Sequence, residues 1–275
     1  MRLRHIDGQT VHLAGSLASE PDDDFRDLLT RVQSYAGELT CCSLSLTPAL
    51  ASILAGSTGM RRGLQLALTA QGLEVVTLQA AVLPRSWRDW WTYLLDLAYI
   101  LADLLPEDTT HGSICTGVPL LGDDPWEAAA RELEDLSSGL TEIAWHTGSF
   151  IRVACAQADG TLLSTIDDAC RLLGPIDPSR IGVCLDPARL IKLSETPAQA
   201  LVKLRRARLN VVKVKLAEPG FQGLLNAILG GPHALCDHIE ATTPQTMDEA
   251  RLEMVILGLD GADDRPIPGL GRSVA

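Results

Sequence analysis

Short apolar runs rich in β-branched residues alternate along the chain with stretches of helical period. The runs are VHLAGSL (11–17), CCSLSL (41–46), EVVTLQAAV (74–82), GSICTGV (112–118), FIRVACAQ (150–157), RIGVCLD (180–186), NVVKVKL (210–216) and HALCDHIEA (233–241). Strands that alternate with helices build a parallel sheet, and eight such units can close it into a barrel. The pattern therefore predicts an α/β protein, a single (β/α)8 TIM barrel over about residues 10–260. No Gly/Ser/Pro-rich linker or shift of composition divides the chain, so one domain is expected over 1–275, ending in an irregular tail over 261–275.

Helical signals fill the gaps between the runs. The first helix is expected over 22–36, with three aspartates in its first turn and Phe25, Leu28, Leu29 and Val32 on its apolar face. Others are expected over 60–71, 125–148 (introduced by Asp-Asp-Pro), 166–173, 197–208, 221–229 and 247–259. Residues 87–105 form the third helix and hold Trp87, Trp90, Trp91, Tyr93 and Tyr99. Two readings of this segment stand: an aromatic face packed on the barrel exterior, or Trp87 and Arg88 at the barrel mouth, shaping a ligand pocket.

Composition narrows the picture. A length of 275 residues suits one such barrel. With 46% hydrophobic and only 4% aromatic residues, the core must be Leu, Val, Ile and Ala, which suits branched layers filling a barrel interior. The net charge is −12 and no basic surface is evident, so no nucleic-acid partner is expected. The cluster Arg205, Arg206, Arg208 suits the last turn of a helix. No secretory signal opens the sequence, and no uncharged apolar stretch reaches 18 residues. A cytoplasmic protein without membrane insertion follows as an expectation. Seven cysteines without a CxxC pair, mostly on the strands, read as small buried hydrophobes rather than zinc ligands or disulfides. There is no GxGxxG, Walker loop or GxSxG elbow, so no nucleotide cofactor is implied and none is expected.

In TIM barrels chemistry sits at the C-terminal ends of the strands. Those ends offer Gln79, Gln157, Asp186 with Arg189 across a Pro187 turn, Lys213, Lys215, and the run His238, Glu240, Thr242. Alternation puts Lys213 and Lys215 on one strand face, and His238, Glu240 and Thr242 on one face of the next. Two ammonium groups turned into a barrel need anionic partners. Asp186 and Glu240 could supply them as structural ion pairs, or the four groups could form a catalytic site.

The segments Ser86-Trp87-Arg88-Asp89, Gly112-Ser113-Ile114, Gly182 to Asp186, Val211 to Lys215 and His238-Ile239-Glu240 resemble the xylose-isomerase-like barrels. That class includes sugar-phosphate isomerases and epimerases. More narrowly, the chain resembles metabolite-traffic proteins of ebo-type clusters, over roughly residues 10–260. The resemblance implies a sugar-like substrate. In metal-dependent members it also implies a divalent ion held by Glu, Asp, His and Glu from strands five to eight. This chain departs from that set. It has Gln157 or Asp159 for the first Glu, keeps Asp186, has Arg189 where a His often follows, Lys215 for a His or Gln, and keeps Glu240 with Thr242 beyond it. A lysine in the ligand ring repels a divalent cation or replaces its charge, so no metal is expected. Two functions are implied. One is metal-independent isomerisation or epimerisation by Asp186, Lys213, Lys215 and Glu240, with Gln79, Trp87, Arg88, Gln157, Arg189, His238 and Thr242 binding substrate. The other is a non-catalytic, degenerate barrel that binds or carries a metabolite.

Overall fold

The computed structural model describes residues 1–18, 20, 23–35 and 40–261. Eight parallel strands form the barrel: β2 (Thr10–Leu17), β3 (Cys41–Leu46), β4 (Glu74–Ala80), β5 (His111–Gly117), β6 (Phe150–Ala156), β7 (Ile181–Leu185), β8 (Val211–Leu216) and β9 (His238–Ala241). Each pairs with the next, and β9 pairs with β2, which closes the ring. Each of the eight predicted runs falls on a barrel strand, the last only over His238–Ala241 rather than 233–241. Two further strands were not foreseen: β1 (Arg2–Arg4) and β10 (Asp260–Gly261) pair antiparallel, Leu3 opposite Gly261, and β1 also pairs with β2. The expected tail thus begins as strand at Gly261, and 262–275 lies outside the described residues.

The helices are α1 (Phe25–Ser34), α2 (Pro48–Gly56), α3 (Thr58–Ala70), α4 (Trp87–Leu104), α5 (Pro125–Thr147), α6 (Ile166–Leu173), α7 (Pro187–Lys192), α8 (Pro197–Arg206), α9 (Gln222–Leu229) and α10 (Pro244–Ile256). The third unit's helix, α4, falls where the aromatic segment predicted it. The helix expected over 60–71 is preceded by α2, started by the Thr47 cap and Pro48 in the first turn. The same device, Thr243 before Pro244, starts α10 three residues ahead of the expected 247. Asp186 caps α7, a turn the sequence reading left without a helix.

The apolar core lies between strands and helices, not inside the barrel. Val11, Leu13, Leu44, Leu78, Ile114, Val153, Val183, Val214 and Ile239 all belong to one cluster with the helices' buried faces. The expectation of branched layers filling the interior is therefore corrected. The inward positions carry Ser43, Thr77, Ser113, Cys115, Ala154, Cys184, Lys213, His238 and Glu240, which are small or polar. The branched residues alternate with them and so face outward, with Val212 the exception.

Two β-bulges adjust this alternation. On β8, Val183 faces Val211 and Cys184 faces Lys213, leaving Val212 over. Val211 joins the outer core, while Val212 joins a small inner cluster with Cys115, Ala154 and Cys184. On β4, Val76 is the extra residue between Val75 and Thr77. A bulge re-aims the side chains beyond it, and here those are Lys213 and Lys215 on β8, and Thr77 and Gln79 on β4.

Candidate functional site

The barrel interior holds a fully buried ion pair. Lys213 and Glu240 are each 0% exposed, and Lys213 Nζ contacts Glu240 Oε2. Ser43 Oγ donates to the same carboxylate oxygen at 2.9 Å. Lys213 Nζ donates to Thr77 Oγ1 at 2.9 Å, and Ser113 Oγ donates to Thr77 Oγ1 at 2.9 Å. These bonds join β8, β9, β3, β4 and β5, strands that are not all neighbours in the sheet, so they cross the lumen. Burial pushes Glu240 up, but Lys213, Lys215 and the two hydrogen bonds outweigh it and hold the carboxyl below its ordinary value. Burial opposes charge on Lys213 as well. Glu240 and the two nearby thiols outweigh it, and the ammonium sits above its ordinary value. Both members are held in their charged forms, and Glu240 Oε1 is buried without a protein partner.

Nearer the C-terminal ends of the strands lies a cavity of about 310 Å³. Its walls include Gln79, Gly117, Gln157, Cys184, Asp186 and Lys215. Lys215 makes no ion pair within 4.0 Å among the described residues, in contrast to Lys213. Asp186 accepts from the Ala188 N–H at 2.9 Å as the α7 cap. Burial raises its pKa, against the opposing pull of backbone N–H groups and of Lys215. Gln79 donates to Ala80 O at 3.2 Å, and its Oε1 is buried without a protein partner. Gln157 is buried and donates to Cys155 O at 3.4 Å. Small residues make the room: Gly117 sits beneath Leu83 and Thr161, and Ala156 completes the wall.

The structure divides the residues singled out from sequence. Gln79, Gln157, Asp186 and Lys215 line the cavity together. Lys213 and Glu240 lie deeper as the closed pair. The remaining five do not line it. Arg189 turns outward, donating to Asp159 Oδ1 at 2.6 Å and to Ser164 O at 2.7 Å, which pins the loop after β6 onto α7. That pairing also holds Asp159 away from the cavity. Trp87 packs edge-to-face on Trp90 with centroids 5.7 Å apart and joins the outer core. Arg88 lines a groove between α4 and α5 with Trp91 and Glu132. Of the two readings of this segment, helix packing is the one the coordinates fit.

His238 sits beside His12 near the strand starts, ring centroids 5.5 Å apart. Both are buried, and burial brings them down to about 4 and about 3 respectively. Thr242 borders a second cleft, about 680 Å³, at the β2–β9 seam, walled also by Arg31, Met247 and Arg251. The seam cleft is larger, but Lys215 and Asp186 face the smaller cavity, which is therefore the candidate site. Sequence reasoning passed over the hydroxyls of Ser43, Thr77 and Ser113 and the thiols of Cys115 and Cys184. The signal for Ser43 and Ser45 was present in the alternation of CCSLSL.

Superposition on solved structures agrees with this architecture. A 3-keto-D-glucoside 4-epimerase from E. coli matches with a TM-score of 0.57 at 14% identity, over 90% of this chain and 99% of that one. A D-tagatose 3-epimerase-like protein matches at TM-score 0.59 and 12% identity, over 89% and 98%. A xylose isomerase-like TIM-barrel protein from Mycobacterium smegmatis, solved in complex with magnesium, matches at 0.57 and 15%, over 90% and 95%. The fold is a (β/α)8 barrel, and the solved structures it resembles include xylose isomerase-like proteins. No protein-family model matches the sequence, and no curated protein matches it.

The donor set in this lumen does not suit a divalent cation. Among the described residues no group of three or more His, Cys, Asp or Glu side chains converges as a metal cage. The carboxylate on β9, Glu240, is neutralised by the Lys213 ammonium, and a second ammonium, Lys215, lines the cavity itself. Hard cations take clusters of oxygen ligands, which two lysines in the lumen oppose.

Proposed function

We propose that this chain handles a small sugar-like carbonyl metabolite and isomerises or epimerises it without a metal, with Lys215 and Asp186 as the acting pair. One observation carries the reading: an unpaired ammonium and a carboxyl raised by burial share a cavity at the catalytic end of a barrel. Asp186 would take the proton from the carbon beside the ligand carbonyl, because a carboxyl raised toward neutrality serves as both base and acid. The Lys215 ammonium would face the oxygen on which charge develops. Gln79 Oε1 and the Gln157 amide would orient hydroxyls. Lys213 and Glu240 would hold the lumen beneath the site in shape and supply its field. The names of the epimerases that share the fold agree with this substrate class. Among the described residues no helix is long and apolar enough to cross a membrane, and we place the activity in the cytoplasm.

The second reading is a non-catalytic carrier, of the kind the ebo-type metabolite-traffic proteins suggest. It is favoured by the closed Lys213–Glu240 pair, which leaves two of the four candidate catalytic groups paired with each other. One experiment separates the readings. Protein is incubated in D2O with D-tagatose, L-ribulose and a panel of 3-keto sugars, and exchange at the carbon beside the carbonyl is followed by NMR, with thermal shift in parallel. Catalysis predicts exchange that survives EDTA and falls by about 100-fold or more in Lys215→Met or Asp186→Asn. A raised Tm without exchange selects the carrier. Exchange that requires added metal, or that survives both substitutions, overturns the assignment of Lys215 and Asp186.

A further inference from the structure

The sequence has four lysines, and three of them are held by carboxylates. Lys192 pairs with Asp159, Lys203 pairs with Asp167 at 2.8 Å and Glu195 at 2.9 Å, and Lys213 pairs with Glu240. Lys215 makes no salt bridge among the described residues, and it is the lysine that walls the strand-end cavity. The bulge at Val212 turns Lys213 and Lys215 to the lumen, so Lys215 shares a strand face with a second, fully buried ammonium. The walls around Lys215 are short, with Ala80, Ala81, Gly117 and Ala156 leaving room at the strand ends. Asp186 lines the same cavity, and burial works to raise its carboxyl.

As an ammonium, Lys215 acts by charge alone. An ammonium and a carboxylate on one cavity hold the same protons as an amine and a carboxylic acid, so one proton moved to Asp186 frees the Lys215 nitrogen. Lysine placed in an enclosed site beside another cation is the setting in which this side chain serves as a nucleophile toward carbonyls.

We propose that Lys215 bonds covalently to the carbonyl carbon of its ligand, forming an imine in the strand-end cavity with Asp186 as the proton carrier. This rests on the reading of that cavity as the site of a carbonyl-containing metabolite. It replaces an ammonium facing the carbonyl oxygen by a nitrogen bonded to the carbonyl carbon.

The steps balance without an oxidant or reductant. The amine nitrogen attacks the carbonyl carbon, the C=O π pair moves to oxygen, and one proton passes from nitrogen to oxygen through Asp186. The C–O bond of this carbinolamine then breaks. Oxygen leaves as water with the proton of the Asp186 carboxyl, and the nitrogen lone pair closes the protonated imine. The Asp186 carboxylate next takes a proton from the adjacent carbon, and the C–H electron pair flows to the imine nitrogen as an enamine. The proton returns to that carbon, and water reverses the first steps to release the product and the amine.

The test uses the intact chain and two probes. The first is limiting formaldehyde with cyanoborohydride, which methylates an amine through an imine, with sites mapped by peptide mass spectrometry. Exposed Lys192 serves as the ordinary amine. Lys215 should be labelled at least about 10-fold faster than Lys192. The second probe is D-tagatose or L-ribulose with borohydride, which should fix the sugar to Lys215. A Lys215 labelled no faster than Lys192, with no sugar fixed to it, overturns the proposal. Lys215→Arg keeps the positive charge and lacks the nucleophile. In the D2O assay it should lose exchange by about 100-fold or more, as Lys215→Met does. An Arg variant that retains exchange while the Met variant loses it rejects the covalent step and keeps the sugar reading. Fast labelling by formaldehyde with no sugar fixed and no exchange supports the imine-forming lysine while removing the sugar reading.

Discussion

Replacing Lys213 by Met tests whether the lumen is held by its ion pair. The substitution strands Glu240, which is 0% exposed and would keep only the Ser43 hydroxyl at 2.9 Å, since its Oε1 has no protein partner. A carboxylate left alone at that depth escapes its desolvation cost by taking up a proton. From the ordinary value of 4.5, protonation at pH 7 costs about 3.4 kcal/mol at about 1.36 kcal/mol per unit. Losing the ammonium's hydrogen bonds to Thr77 and Ser43 adds about 1 kcal/mol. The expected loss at pH 7 is therefore about 4 kcal/mol, within the range of about 3–5 for breaking a buried pair.

The pH dependence has a definite sign. In the native protein Glu240 lies below its unfolded value, so its contribution is present above pH about 4.5 and is lost as pH falls through the folded pKa. In the variant the carboxyl lies above its unfolded value, so the penalty is absent at pH about 4.5 and grows as pH rises. The difference between the two proteins should shrink to about 1–2 kcal/mol near pH 5. Urea unfolding followed by tryptophan fluorescence at pH 5 and 7 measures it. Lys213→Met/Glu240→Gln, which removes both charges, should recover most of the loss. A Lys213→Met cost below about 1 kcal/mol at pH 7, a difference that widens toward acid, or a double variant weaker than the single one would refute the reasoning.

Three other outcomes follow from the same coordinates. His12 and His238 stay neutral when folded, at about 3 and about 4. Below pH about 6.5 the unfolded chain binds protons the native state does not, so stability should fall toward pH 4 by up to about 1.4 kcal/mol per unit for each. His238→Leu should roughly halve that slope in acid urea titrations, and an unchanged slope would show that His238 is not held neutral. Gly182→Ala would bring a Cβ to 2.4 Å from Asn210 O and 2.7 Å from Val212 Cγ2, so a loss of about 1–3 kcal/mol or misfolding is expected. Gly223→Ala in α9 meets nothing within 4 Å and should gain about 0.5–1 kcal/mol; thermal melts that rank the two the other way would count against the β7–β8 register. Asp186→Asn should keep the α7 cap while Asp186→Ala loses about 1 kcal/mol, so a ligand defect in the folded Asn variant reports chemistry. Equal Tm values for the two variants would contradict the capping role.

What could be read in advance was periodic and local. The eight strands and the aromatic helix follow from alternation and turn signals that lie within single segments. The cavity quartet of Gln79, Gln157, Asp186 and Lys215 followed from one rule about strand ends. The depth of each side chain did not follow. Lys213 and Lys215 share a face, yet one rung along a strand separates a closed ion pair from an open cavity. Arg189 sits at a strand end in sequence, but Asp159, thirty positions earlier, captures it from the neighbouring loop. His238 belongs to the strand of Glu240 and lies at its other end. The two bulges carry no mark in VVKVKL or EVVTLQA, because an extra residue becomes visible only against its partner strand. The interior was misjudged because composition counts branched residues without saying which side of the sheet they occupy.

The β2–β9 seam has a consequence for how the barrel forms. Every other parallel pairing joins consecutive βα units, so most of the ring can zip locally. His12 and His238 pair across nearly the whole chain, and contacts so distant in sequence are reached only after a large loop has closed. The same juncture carries the β1–β10 pairing and the larger cleft, with residues of α1 and α10 on its walls. Closure of the ring is thus expected as a late step that joins the first and last units. In hydrogen exchange, the backbone amides of β2 and β9 should then open together and before those of β5 and β6. A small molecule lodged in that cleft would slow this opening, making the seam a place where occupancy is read out as lifetime of the closed ring.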